Sequence, residues 1–335
     1  MTAGQDSFMP IPVIIDTDGG VDDAVALWWA LTSSSLDVLA VTVVWGNVPL
    51  DVAATSVARV VGAAGRVDVP IALGAAGPIG PAPLLRPATF IHGDDGLGNT
   101  TDGQPALVVS AASQPAPELI SELCHDRPGE ISLVTLGPLS NVGALVREDS
   151  EAARDIKELV VMGGSARLGG NALPNGEANV AHDPLAAALV ASAPWAIPPL
   201  LVGLDVTMRA TLTEDHFALL GAHRTAAAAF LDAPLRFYRR YGATFTAPDC
   251  PCHDFLAVLA LADPAVINDA PVLPMAVDTA GGPAWGATVV DFRAPVFAAL
   301  EGAEQERPVG FHPWRIALDA DVARFRTHAS ALFGG

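Results

Sequence analysis

The sequence predicts an α/β fold in which helices cover both faces of a mostly parallel sheet. Two observations support this prediction. Short apolar segments alternate with segments of helical periodicity through the first two thirds of the 335 residues. Acids, amides and glycines then follow the apolar segments at their carboxyl ends, most clearly in Asp16-Thr17-Asp18-Gly19-Gly20-Val21-Asp22-Asp23. Open parallel sheets bind ligands at this edge, so these polar groups also predict the position of a site.

The predicted elements follow one another regularly along the chain. Apolar segments rich in β-branched residues predict strands at residues 13–16, 38–44, 71–73, 131–136, 159–162, 200–204, 272–277 and 288–292. Helical patterns lie at residues 22–31, 52–63, 117–125, 139–147 and 184–190, and a mainly helical excursion covers about residues 213–262. We therefore expect one domain over residues 11–330, preceded by a flexible N-terminus at residues 1–10, although the length also allows two domains.

Composition excludes several classes of partner. The chain has 37 acidic and 18 basic residues and a formal net charge of −19, which argues against nucleic acid and against an anionic membrane surface. Proline and glycine interrupt the longest uncharged stretch, residues 184–204, so it predicts a buried helix and strand. Three cysteines without a zinc pattern predict reduced thiols in a cytoplasmic protein. Residues 1–10 lack the basic and apolar regions of a signal peptide.

The four acids after the first predicted strand point to a cation. Asp16, Asp18, Asp22 and Asp23 lie within eight residues, and so many anions repel one another at close range. Carboxylate oxygens suit Ca²⁺ or Mg²⁺ better than zinc. The alternative is a solvated acidic turn with a helix cap, because Asp favours both positions.

More polar groups fall where later predicted strands end. The segments are Gly46-Asn47, Gly137-Pro138-Leu139-Ser140-Asn141, Met162-Gly163-Gly164 with Asn171, Glu177 and Asn179, and Cys252-His253-Asp254. Carboxylates hold a cation, amides and acids bind hydroxyls, and histidine moves protons near neutral pH. The set predicts a metal site that binds a polyol.

This ordered set resembles the nucleoside hydrolase family, the calcium-dependent nucleoside N-ribohydrolases, over about residues 11 to 320. The family motif Asp-x-Asp-Pro-Gly-x-Asp-Asp is matched by residues 16–23 except at Gly19. The segments named above match later family motifs in order, together with the loop His92-Gly93-x-x-Gly96-Leu97. Two further departures, Ala178 and Phe255, concern substrate preference more than the reaction.

The resemblance implies a reaction and a set of roles. Ribonucleosides would be hydrolysed at the N-glycosidic bond to free base and ribose. Asp18, Asp23, Asp254 and the backbone carbonyl of Leu136 would bind Ca²⁺, and Asp18 would take a proton from the water held by the cation. His253 would give a proton to the departing base. The family also implies a homodimer or homotetramer that acts in nucleoside salvage.

Substrate contacts are also implied by the resemblance. Asp22 and Asn47 would hold the 2′ side of the ribose, and Asn171, Glu177 and Asn179 would hold its 3′ and 5′ hydroxyls. Candidate contacts to the rest of the nucleoside are His92, Met162, Tyr238 and Tyr241. The two tyrosines fit packing within a helix equally well, and Met162 fits a core position.

Simpler structural roles remain open for several of these residues. His253 and Asp254 also fit a helix start and its cap. Glu177 and Asn179 also fit an ordinary loop. His182-Asp183 looks similar to His253-Asp254, but Asp183 precedes Pro184 and an alanine-rich segment, which favours a helix N-cap followed by proline.

Two other functional classes compete with nucleoside hydrolysis. In a phosphatase of the haloacid-dehalogenase type, Asp16 would be the nucleophile and Mg²⁺ the metal. That class needs a downstream basic residue and a later pair of acids, and Lys157 is the only lysine. A non-catalytic nucleoside- or sugar-binding protein would use the same cleft, and turnover of a nucleoside distinguishes it from an enzyme.

Overall fold

The computed structural model describes residues 9–101, 109–245, 249–293 and 309–335, with the side chains of residues 241–245 left outside the description. Its centre is a nine-stranded sheet. The strands in chain order are β1 (Ile11–Thr17), β2 (Leu36–Val43), β3 (Ile71–Leu73), β4 (Ser132–Thr135), β5 (Glu158–Met162), β6 (Leu200–Val202), β7 (Thr211–Leu212), β8 (Cys250–Pro251), β9 (Ile267–Asp269), β10 (Val272–Val277), β11 (Thr288–Val290), β12 (His312–Ile316) and β13 (Asp319–Ala320).

Helices connect most of these strands. They are α1 (Val21–Thr32), α2 (Leu50–Ala63), α3 (Thr89–His92), α4 (Ala116–Asp126), α5 (Ser140–Glu148), α6 (Ala152–Asp155), α7 (Ala178–His182), α8 (Pro184–Ser192), α9 (Leu204–Thr207), α10 (Glu214–Gly221), α11 (Ala226–Phe245), α12 (His253–Ala262), the short 3₁₀ helix α13 (Pro264–Val266) and α14 (Val322–Gly334).

The large sheet confirms the predicted fold class. Its order is β11-β10-β12-β6-β5-β4-β1-β2-β3. Neighbouring strands from β12 to β3 pair in parallel, and β10 pairs in the antiparallel sense with both of its neighbours. Strand β4 is buried along its whole length, as expected for a parallel strand covered on both faces.

Alternate residues of β1 enter two different cores. Val13 and Ile15 pack in a cluster with residues of α1, α2, α11, α12 and α14. Ile14 packs in the other cluster, against residues of α4, α5 and α8. Successive strand side chains point to opposite faces, so one short apolar strand contributes to both layers. The burial fixes its register and thereby the position of the acids that follow it.

The predicted strand and helix boundaries in the first two thirds lie within about two residues of the observed ones. The excursion at residues 213–262 contains α10, α11 and α12, but β8 interrupts it by pairing with β7. The sequence analysis did not predict β12 or α14. Strand β12 buries only Trp314 and Ile316 between less buried neighbours, so it lacks the continuous apolar run of the other strands.

Among the described residues, no helix has both the length and the apolar character needed to cross a bilayer. Residues 184–204 contain α8 and β6, which confirms the predicted buried helix and strand.

Candidate active site

The junction between β1 and α1 presents the first group of acids. Asp18 lies between the two elements, and Asp22 and Asp23 lie in the first turn of α1. Gly19 has a φ of 72°, and a Cβ at this position would lie 2.8 Å from the Cα of Ala53. Only glycine fits this turn without strain. The departure from the family motif at Gly19 therefore still gives a tight turn.

Carboxylates from two distant parts of the chain meet here. One oxygen from each of Asp22, Asp23 and Asp254 lies within 4.8 Å of the others. The Asp18 carboxyl group contacts that of Asp23. None of the four residues is more than 4% exposed. Asp23 and Asp254 in this group were predicted to bind the metal, whereas Asp22 was not. Asp18, the third acid predicted to bind the metal, lies beside the group.

Asn47 holds Asp18 through two contacts. Its backbone N donates to Asp18 Oδ2 at 2.8 Å, and its Nδ2 donates to Asp18 Oδ1 at 2.8 Å. The same Nδ2 lies 3.3 Å from Asp23 Oδ2. A Cβ on the preceding residue, Gly46, would collide with Asp18 Oδ2. Close backbone approach after β2 is therefore necessary for this arrangement.

In the described part of the chain, the buried acids form no ion pair with lysine or arginine. Burial raises the pKa of Asp22 to about 7, and it raises the pKa values of Asp18 and Asp254 well above their usual range. Among the described ion pairs, only one involves this cluster: His92 Nδ1 lies 3.9 Å from Asp22 Oδ1. Burial lowers the pKa of His92 to about 3, so that ring is neutral at pH 7. An all-oxygen donor set with uncompensated negative charge fits a hard divalent cation.

Two histidines approach the acids from different elements. His253 begins α12 directly before Asp254, and its Nδ1 lies 2.8 Å from Thr207 Oγ1. Burial lowers the pKa of His253 to about 4. His92 Nδ1 accepts a hydrogen bond from Val21 N at 3.1 Å, and the His92 ring centroid lies 5.4 Å from that of Tyr238. Both rings thus have one nitrogen occupied within the protein.

A second group of predicted residues gathers around the loop before α7. Asn179 Nδ2 donates to the Leu136 carbonyl at 2.9 Å and to the Met162 carbonyl at 3.1 Å. Glu177 caps α7, and its carboxylate also accepts from Gly164 N at 2.8 Å. Asn171 is exposed, and its Oδ1 accepts from Ala178 N at 2.9 Å. These contacts join the carboxyl ends of β4 and β5.

Asp16 has a structural position that the phosphatase interpretation did not anticipate. It is fully buried, and its Oδ1 accepts hydrogen bonds from Thr42 Oγ1 at 2.5 Å and from Asn141 Nδ2 at 2.7 Å. Asn141 Oδ1 in turn accepts from Ala75 N at 2.8 Å. Asp16 therefore links β1 to β2 and to the start of α5, and these hydrogen bonds hold its Oδ1 within the protein, which does not suit a nucleophile that meets a substrate.

Several structural alternatives can now be compared with observed contacts. Asp183 Oδ1 accepts from Ala186 N at 3.1 Å, so the prediction that Asp183 caps a helix is confirmed. Met162 and Tyr238 are both buried, at 3% and 8% exposure. The side chain of Tyr241 lies outside the described residues. Cys250 and Cys252 are buried free thiols.

Sequence reasoning gave no role to three residues that support the site. Thr42 and Asn141 bind Asp16, and Thr207 contacts His253. Asn141 belongs to a segment that the sequence analysis named, and its position at a strand end was the available signal. Thr42 and Thr207 carry no such signal, because threonine is common within strands and short helices.

A model of the family described as "Inosine-uridine preferring nucleoside hydrolase" matches residues 13–327. A relative from Oryza sativa subsp. japonica, named "Probable uridine nucleosidase 2", is 37% identical over 228 residues, which cover 68% of this chain and 66% of that protein. The "Inosine-uridine preferring nucleoside hydrolase" of Leishmania major is 35% identical over 288 residues, which cover 86% of this chain and 90% of that protein.

The fold has a close counterpart among solved structures. A structure titled "Plant nucleoside hydrolase - PpNRh1 enzyme" aligns with a TM-score of 0.87 and 30% sequence identity. The alignment covers 97% of this chain and 100% of that chain. The similarity therefore extends over nearly the whole chain.

Proposed function

The chain belongs to the inosine-uridine preferring nucleoside hydrolase family and is an enzyme that hydrolyses ribonucleosides, and from this premise we propose which residues perform the reaction. Asp18 is the general base and His253 is the general acid. The water oxygen forms a bond to C1′ of the ribose while the bond from C1′ to the base nitrogen breaks. Asp18 accepts a proton from the water, and His253 supplies a proton to the leaving base. The products are free base and ribose.

The observation that supports this proposal best is the meeting of four buried carboxylates from the β1–α1 junction, α1 and α12. Their negative charge favours the positive charge that develops on the sugar ring when the glycosidic bond breaks. Their mutual repulsion also requires a cation. Haloacid-dehalogenase chemistry and binding without turnover have no comparable support from the contacts or from the relatives.

We propose Ca²⁺ as the cation, held by Asp18, Asp23, Asp254 and the carbonyl oxygen of Leu136. Ca²⁺ accepts six to eight oxygen ligands at loose geometry, which suits acids that come from separate elements. When bound, the cation offsets the carboxylate charge and polarises the attacking water and nearby ribose hydroxyls. Asp22, whose carboxylate lies within 4.8 Å of those of Asp23 and Asp254, is then free to accept a hydrogen bond from the substrate.

The ribose hydroxyls are proposed to bind on both sides of the acids. Asp22 and Asn47 hold the 2′ side, and Asn171, Glu177 and Asn179 hold the 3′ and 5′ hydroxyls. Support comes from the two hydrogen bonds that tie Asn47 to Asp18, because they keep the Asn47 amide next to the proposed general base. The contacts of Asn179 to the Leu136 and Met162 carbonyls support the other side.

The base is proposed to lie toward His92, Tyr238 and Tyr241, and Met162 is proposed to contact the nucleoside. His92 and Tyr238 form an aromatic pair, and aromatic rings stack favourably on flat heterocycles. We further propose that the enzyme acts in the cytoplasm in nucleoside salvage, as a homodimer or homotetramer. Its three cysteines are free and buried, in keeping with a reducing compartment.

The decisive experiment measures release of reducing sugar from inosine, uridine, cytidine and adenosine before and after treatment with a chelator. We expect activity to be lost on chelation and restored by Ca²⁺ more effectively than by Mg²⁺. Full activity in protein that contains no metal by elemental analysis would exclude the cation. No release from any nucleoside, together with cleavage of p-nitrophenyl phosphate in Mg²⁺, would instead favour the phosphatase.

A further inference from the structure

Thr207 is a buried residue that touches the proposed acid. It ends the four-residue helix α9 and is 0% exposed. Its Oγ1 lies 2.8 Å from Nδ1 of His253, which is 46 residues away in the chain. None of the roles proposed above uses this hydroxyl group.

The backbone on both sides of this contact is fixed. Thr207 N donates to Gly203 O at 3.1 Å, and Cys252 N donates to Ala210 O at 2.9 Å directly before His253. Asp205 accepts hydrogen bonds from Ala166 N at 2.6 Å and from Arg167 N at 2.8 Å. Helix α9 is thereby held to the loop after β5, and the Thr207 hydroxyl has a defined place relative to the His253 ring.

The contact determines which histidine nitrogen is available. With Nδ1 occupied by Thr207, Nε2 lies on the opposite side of the ring and is the nitrogen left to meet a substrate. A hydroxyl can donate to a bare Nδ1 and can accept from an Nδ1 that carries hydrogen. Thr207 therefore holds the same ring orientation whichever of Oγ1 and Nδ1 carries the shared hydrogen.

We propose that Thr207 is the positioning residue of His253 and that its hydroxyl keeps Nε2 directed toward the leaving base. This inference rests on the proposed role of His253 as proton donor. In this proposal, α9 acts in the departure of the leaving base and not in ribose or cation binding. A purely structural Thr207 would instead affect folding and all substrates alike.

The test compares Thr207→Val with wild type on two kinds of substrate. Inosine needs a proton on its departing base, whereas p-nitrophenyl riboside releases a stable anion that needs none. General acids contribute about 10²- to 10⁴-fold, so we expect the variant to lose about 10- to 100-fold in kcat on inosine. The kcat on p-nitrophenyl riboside and both KM values should stay within about threefold, and Thr207→Ser should restore most of the inosine rate.

Thr211→Val is the matched control. Thr211 is 8% exposed, and its hydroxyl contacts Asp249 and Arg326 rather than the site. The Thr211→Val variant therefore measures the general effect of replacing a buried threonine hydroxyl in the same region. If Thr207→Val does not fold by circular dichroism, Thr207→Ala provides the same comparison with a smaller side chain.

The double variant separates this inference from the proposed function. If Thr207 acts through His253, Thr207→Val should cause no further loss in a His253→Ala background. Equal losses on inosine and p-nitrophenyl riboside for Thr207→Val, while His253→Ala affects inosine alone, would overturn the role of Thr207. A His253→Ala variant with the same loss on both substrates would overturn the acid itself.

Discussion

Asp18 and Asn47 form the contact on which the proposed chemistry depends. Both carboxylate oxygens of Asp18 accept a hydrogen bond from Asn47 at 2.8 Å. Each oxygen keeps further lone-pair capacity, so the carboxylate can be oriented and still accept a proton. Burial and the neighbouring Asp23 raise the pKa of Asp18, which makes it a stronger base than an exposed aspartate.

Asp18→Asn should lower kcat by about 10³-fold or more on inosine, because an amide does not accept the proton that a general base removes. The measurement is kcat at saturating nucleoside and Ca²⁺. Asp37→Asn is the control, since Asp37 is an exposed acid on β2. A kcat within tenfold of wild type for Asp18→Asn would show that another group accepts the proton.

Single residues also mark the limit of prediction from sequence. The acids at residues 16–23 were found because four carboxylates in one turn exceed what a helix cap needs. Thr207 was not found, because its importance comes only from the 2.8 Å contact with a residue on another element. Asp16 was grouped with the other acids, although the structure turns it toward Thr42 and Asn141.

At the scale of elements, one ion-pair cluster joins α12 to the C-terminal helix α14. Asp263 follows α12 and accepts from Arg324 Nη2 at 2.7 Å and contacts His328 Nε2 at 2.8 Å. The Arg324 hydrogen bonds lower the pKa of Asp263. Since α12 begins with His253 and Asp254, α14 stabilises the helix that carries two proposed site residues.

Asp263→Asn should lower the melting temperature by a few degrees at neutral pH. A carboxyl group whose pKa is lowered by folding stabilises the native state above its unfolded pKa, about 3.9, and this contribution is lost as the pH falls through the lower folded pKa. The difference from wild type should therefore shrink below about pH 4. The measurement is thermal unfolding across pH, with exposed Asp269→Asn as control. An unchanged difference at all pH values would contradict the charge-based explanation.

Helical periodicity and apolar strands predicted most of the longer elements, but β12, β13 and α14 near the C-terminus were missed. Strand β12 lies within the sheet between β10 and β6, yet its sequence is His-Pro-Trp-Arg-Ile. Its burial depends on neighbours distant in sequence. Local pattern therefore identified elements with strong apolar faces and failed where tertiary packing covers a mixed segment.

At the scale of the whole molecule, the sheet order brings the site together. Strands β4, β1 and β2 are adjacent, so Leu136, Asp18 and Asn47 follow neighbouring strands at one edge. Helix α12 then adds Asp254 from much later in the chain. We propose that residues 11–330 form one domain, because both early and late strands belong to the same sheet.

Ca²⁺ should raise the melting temperature of metal-free protein by several degrees. A ligand that binds only the native state adds about 2.7 kcal/mol to the free energy of unfolding when its concentration is a hundredfold above its Kd. Differential scanning calorimetry measures this shift, and one domain should give one transition. Asp254→Asn should reduce the shift strongly, whereas exposed Asp37→Asn should retain it. An equal shift in Asp254→Asn and wild type would remove Asp254 from the proposed ligand set.

The sequence by itself determined the α/β class, the position of the acids at a strand end and the family resemblance, since these depend on local periodicity and on motifs contiguous in the chain. Only the tertiary structure decided that Asp22 joins Asp23 and Asp254, that Asp16 points into the protein, and that Thr207 contacts His253. These facts depend on distances between residues far apart in sequence, which strand order and burial set and which local pattern does not encode.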